Sequence, residues 1–135
     1  MKKKNIVATG AILGFALLLT AGFALPDFKA TTKEAMKKKL AHSQLTLEGI
    51  AMEKFDIIER NAAALSRLSQ TDAWRAIETD EYRAFTAEFR RQTDALSRAA
   101  KRKNIDAAAL AYVQMTLTCV NCHKHVRDKQ RVAQL

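Results

Sequence analysis

Cys119-Val120-Asn121-Cys122-His123 lies near the end of a chain of 135 residues. Cys-x-x-Cys-His is the pattern at which a c-type haem is attached covalently. Each thiol adds across a vinyl group of the haem to form a thioether, and the histidine that follows supplies a ring nitrogen to the iron. The pattern asks for a helix at this point. At about 100° per residue, Cys119, Cys122 and His123 fall within roughly a third of the helical circumference. One face can therefore carry both tethers and the axial ligand. The chain has two cysteines, and both are in the motif.

The same residues have three plainer uses: a structural disulfide, a redox dithiol and a zinc site. A redox dithiol opens a helix in a strand-rich fold, where the helix N-terminus lowers the thiol pKa. Here the cysteines come late in a long helical pattern with no strand before them. A structural zinc site takes four ligands, usually as two spaced pairs. His125 offers a further ligand, but His123 follows Cys122 too closely to join the same tetrahedron easily.

Upstream of the motif, the apolar positions recur every three or four residues, which is the helical period. Asn104 and Asp106 suit the start of a helix from about Ile105 to Arg131. Ala108, Tyr112, Met115, Cys119, Cys122 and His123 share one face of it. Before it comes a helix from about Asp80 to Arg102. Its stripe is Tyr82, Phe85, Phe89, Leu96 and Ala100, with acids at its start and bases at its end, as the helix dipole favours. A second helix runs from about Glu53 or Phe55 to Ser69 on Phe55, Ile58, Ala62, Leu65 and Leu68. A first helix runs from about Thr32 to Ala51, with Met36, Leu40, Ser43, Leu47 and Ile50 on one side. Residues 69 to 79 read as a connection, in which Trp74 and Ile77 tuck back on the core. No segment alternates with period two. The fold class is all-α, an antiparallel up-and-down bundle of four helices over residues 32–131.

Residues 1–25 read differently. Three lysines precede an apolar run from Ile6 to Leu25, the form of a secretory signal. The run is also long enough to serve as an uncleaved membrane anchor. Either way the lysines stay inside and the rest is placed outside the cytoplasm, where haem c is attached. The expected location is periplasmic or otherwise extracytoplasmic. The 23 Lys and Arg, less the three leader lysines, leave 20 against 14 Asp and Glu, a net +6. That surface suits an acidic redox partner. Nucleic acid is not an expected partner of an exported chain.

This combination resembles the cytochrome c prime superfamily. The strongest part is Cys119-Val-Asn-Cys122-His123-Lys-His-Val-Arg127, with a basic residue four positions after the haem histidine. Val126 departs from the aromatic often found there. The resemblance spans about residues 32 to 131. It implies one covalent haem c near one end of the bundle, with His123 bound to the iron. It also implies that the first helix covers the far face of the haem. A methionine there gives an electron carrier, and an apolar residue gives an open site that binds NO or CO. Met36 and Leu40 are the two candidates. Arg127 is placed to pair with a haem propionate, and Tyr112 to bond one or to fill the core. Met115 sits on the haem helix itself and Met52 off the stripe. His42 is expected to be exposed and His125 to point away from the iron. Relatives often form homodimers through the first two helices. No constellation in the chain activates a substrate, so the expectation is an electron carrier and not an enzyme.

Overall fold

The computed structural model describes residues 28–134, and residues 1–25, read above as a signal or anchor, lie outside the described residues. Four helices follow in order: α1 (Phe28–Ala51), α2 (Phe55–Leu68), α3 (Asp80–Lys101) and α4 (Ile105–Val132), with one 3-10 turn at Asp72–Trp74 before α3. No strand occurs among the described residues. The sequence places all four helices to within two residues at most ends. The exception is the start of α1, which lies four residues earlier than expected.

Two three-residue turns reverse the chain, and they are built alike. At the end of α1, Glu53 N–H donates to the Ile50 carbonyl and Lys54 N–H to the Gly49 carbonyl, at 3.2 and 2.8 Å. At the end of α3, Lys103 donates to Ala100 and Asn104 to Ala99, both at 3.0 Å. This is the paired bonding of a Schellman motif, which satisfies the last helical carbonyls. The motif needs one left-handed residue, ordinarily glycine. Here Glu53 and Lys103 take that place, each at φ 51°. A turn with neither Gly nor Pro was visible in the sequence only as a change of stripe.

Consecutive helices then pack along one another, so neighbours run antiparallel. The core is Ile58, Ala62, Leu65, Tyr82, Phe89, Leu96, Ala99, Ala100, Ala108, Ala111 and Met115, with Trp74 closing one end. Each of the fully buried large side chains among them is worth about 1.5–3 kcal/mol relative to exposure. The stripes expected for α2 and α3 are the ones buried. Thr79 caps α3 by accepting from Tyr82 N–H at 3.1 Å, and Asn104 caps α4 by accepting from Ala107 N–H at 2.9 Å.

The first helix departs from expectation. Its buried positions are Ala35, Lys39, Thr46 and Gly49, one residue back from the Met36, Leu40, Ser43, Leu47, Ile50 stripe. Leu40 and Leu47 are 60% and 50% exposed. The cause is close packing by small residues. A Cβ on Gly49 would lie 3.0 Å from Ile58 Cγ1 and 3.1 Å from Ile57 Cγ2, so α1 approaches α2 where it has least side chain. His42 also departs. It is half-buried, and its Nδ1 lies 2.8 Å from Oδ1 of the buried Asn61.

The other seam of the bundle is loose. α3 packs closely on α4, whereas α1 meets α4 at few points. Leu110, Val113, Leu117 and Val120 on α4 are exposed, and from Arg127 onward every described residue of α4 is exposed.

Because an L-residue in the left-handed region costs about 1–2 kcal/mol, replacing Lys103 by glycine relieves strain while adding chain entropy to the unfolded state. Lys103→Gly is expected to raise stability by up to about 1 kcal/mol, read from the urea midpoint. Lys103→Ala, which stays strained, should give no such gain.

Candidate haem-attachment cleft

α4 presents the motif toward α1. Cys119 and Cys122 are both half-buried and unbridged. His123, one residue on, is exposed at the surface of an open cleft. The cleft has two lobes. The larger, about 470 Å³, is lined by Met36, Lys39, Leu40, Tyr112, Cys119 and His123. The smaller, about 310 Å³, is lined by Thr32, Met36, Lys39, Trp74, Cys122 and His123 among others. His123 borders both, and each lobe holds one thiol. Arg127 borders the smaller lobe and a shallow recess beside Cys119, Val120 and His123. Sites for ligands of drug size are roughly 300–1,000 Å³, so each lobe alone falls in that range.

The structure brings most of the sequence candidates together. Cys119, Cys122, His123, Arg127, Tyr112, Met36 and Leu40 all line this cleft. Met36 and Leu40 are not equivalent in it. Met36 is half-buried, packs against the core and borders both lobes beside His123. Leu40 borders only the larger lobe, from an exposed position. Met115 is fully buried in the core, and Met52 is exposed. His125 turns to α3, where its Nε2 lies 2.9 Å from Thr79 Oγ1.

One residue of the cleft was not anticipated. Lys39 is not on the Met36, Leu40, Ser43, Leu47, Ile50 stripe, yet it is only 7% exposed. Its Nζ lies 4.3 Å from the centroid of the Trp74 ring and 4.4 Å from that of Phe89. A cation over an aromatic face is attracted by the ring quadrupole, and the two rings themselves pack at 4.9 Å. Trp74 is held in turn by its indole N–H, which donates to Thr86 Oγ1 at 3.0 Å. Its carbonyl accepts from the Tyr82 hydroxyl. Only Trp74 in the connection hinted at this, since a lysine in a run of three reads as surface.

Electrostatics favour a neutral imidazole and a protonated thiol. Burial lowers the pKa of His123, and the nearby charges of Lys39 and then Arg127 lower it further. The unprotonated ring nitrogen is the form that binds a metal. Burial pushes the Cys122 thiol up, opposed by Lys39 and reinforced by Cys119. An activated dithiol needs the opposite shift. Burial raises Tyr112 as well, opposed by its hydrogen bond with Thr116.

The residues fit a tethered planar group better than a bare ion. Among the described residues no three His, Cys, Asp or Glu side chains gather to hold a metal ion. Two residues that line the smaller lobe carry buried polar groups without a matching partner among the described residues. Thr32 Oγ1 is buried with no hydrogen bond, and Lys39 pairs with no carboxylate among the described residues. No described helix is long and apolar enough to cross a membrane. A separate cavity of about 490 Å³ lies between the 69–79 connection and α3, away from the motif. No protein-family model, curated protein or solved structure matches this chain.

Tyr82 borders the smaller lobe and anchors Trp74, so its loss is a direct check on the cleft wall. Tyr82→Phe removes one of the two donors to the Trp74 carbonyl, which keeps the Ala76 N–H at 3.1 Å, and should cost about 0.5–1.5 kcal/mol. Burial raises the Tyr82 pKa, so the folded state holds this proton more tightly than the unfolded one. Its contribution is complete below the unfolded value, about 10, and is lost as pH rises through the folded value. Urea midpoints of the two proteins should therefore converge above about pH 10.

Proposed function

We propose that this chain is an exported monohaem c-type cytochrome, built on a helical bundle, that carries electrons. The observation that carries the reading is the shared border at His123, with one motif cysteine lining each lobe of the cleft. Cys119 and Cys122 serve as tethers and His123 as the axial nitrogen. A haem c held there supplies a one-electron couple. The protein supplies attachment, an imidazole kept unprotonated, and walls from α1, Trp74 and Tyr112 that limit water. Met36 is the sixth ligand in this reading, because it borders both lobes on the α1 side. His/Met ligation favours the reduced state and suits an electron carrier. Arg127, which borders the smaller lobe, pairs with a haem propionate in this reading, and the basic surface suits an acidic redox partner, with association that slows as salt rises. The export signal or membrane anchor and pairing as a homodimer belong to the same proposal.

A second reading differs in one residue. Leu40 also borders the larger lobe. With Leu40 over the sixth position the iron stays open and binds NO or CO. In neither reading does the chain act as an enzyme in its own right.

Optical spectra of the mature protein, oxidised, reduced and with carbon monoxide, separate the two. Met36 ligation predicts a methionine-to-iron band at the red edge of the ferric spectrum. Met36→Ala should abolish that band and lower the midpoint potential. An unchanged ferric spectrum in Met36→Ala rules out Met36. A high-spin ferrous protein that binds carbon monoxide without displacing a protein ligand establishes the open site.

A further inference from the structure

We propose that Lys39 and Thr32 form an anion-binding site inside the smaller lobe, made for one carboxylate-sized negative group. The inference rests on the haem reading above and adds a ligand class to the same cleft. Lys39 is a cation more than nine-tenths buried, and among the described residues no carboxylate pairs with it. A buried charge without a counter-ion is costly, and the ring faces of Trp74 and Phe89 compensate it only in part. Thr32 lies seven residues earlier, two turns back along the same side of α1. Its hydroxyl is buried and unbonded, and the residue lines the same lobe. An ammonium and a hydroxyl that both lack an acceptor are matched by one anion. Arg127 and Gln130 stand on the opposite wall, on α4. Among the described residues no acidic side chain lines this lobe or the larger one.

The anion has two sources of like chemistry. One is a propionate carried on the tethered haem. The other is a small anion from solution, held beside or on the iron. Either way Lys39, not Arg127 alone, neutralises the charge, because Arg127 is exposed and Lys39 is not. The lysine also gives the cleft a preference that an apolar wall lacks: negative groups are favoured over neutral ones of equal size.

The test uses the mature haem-bearing protein and three variants, Lys39→Met, Lys39→Arg and Thr32→Val, each checked for covalent haem and native helicity. Lys39→Met keeps the length and apolar stem of the side chain and removes only the charge. Ferric protein is titrated with azide and ferrous protein with carbon monoxide, and the propionate vibrations are recorded by resonance Raman. If the anion comes from solution, Lys39→Met weakens azide at least about tenfold, as expected for a hydrogen bond to a charged group. Thr32→Val then weakens azide less, Lys39→Arg largely restores it, and carbon monoxide moves less than twofold. If the anion is a propionate, azide affinity is unchanged but the propionate band shifts in Lys39→Met and returns in Lys39→Arg. Haem-bearing Lys39→Met with wild-type azide affinity and an unshifted propionate band overturns the proposal. So does an equal loss of azide and carbon monoxide, which marks a change of access and not of charge. A chain without covalent haem instead overturns the function on which this proposal rests, and the haem check reads that outcome separately.

Discussion

α1 and α4 face each other across a cleft that neither helix fills with its own side chains. Every feature of the candidate site depends on that unclosed seam. α2 and α3 carry single apolar stripes and bury them in each other and in their neighbours. α1 and α4 spread apolar residues over more than one face, and a helix of that kind has more surface to cover than one partner can take. α4 is committed to α3, and α1 to α2 through Gly49, where a Cβ would press on the side chains of Ile57 and Ile58. The remaining faces of α1 and α4 meet at few points, and the motif lies on that seam.

The chemistry of the cleft follows from where its charges stand. Lys39 reaches the interior by lying along Trp74 and Phe89, and Trp74 is held there by Thr86 and Tyr82. From that position the ammonium opposes a proton on His123 while favouring the thiolate of Cys122. Burial of Cys122 works against the second effect and outweighs it. The balance gives an imidazole ready to donate electrons and a Cys122 thiol that is not activated for disulfide exchange. A redox dithiol requires the reverse arrangement, and a structural zinc site requires ligands that converge on one point.

Helices, their ends and most of the motif neighbourhood were legible in the sequence, because period and capping residues report them directly. Asn104 caps the helix it precedes, and Tyr82, Phe89 and Leu96 are buried as their spacing demands. The rotation of α1 was not legible. Leu40 and Leu47 look like core by hydrophobicity, but Gly49, Thr46 and Ala35 let the backbone approach α2 and so win the interface. Lys39 was hidden by Lys37 and Lys38 beside it, which do face solvent. What buries it is an aromatic pair from the connection and α3, a long-range contact that no local pattern encodes. His42 was missed for the same reason, since its partner Asn61 is on another helix.

The account stands or falls on covalent attachment at the motif. The most direct measurement is the intact mass of the chain after export in a host that matures c-type cytochromes, taken under denaturing conditions after treatment with an alkylating reagent. The account predicts a single species heavier by one haem, with Cys119 and Cys122 both closed to the reagent. A chain of unmodified mass that takes up two alkyl groups would contradict it.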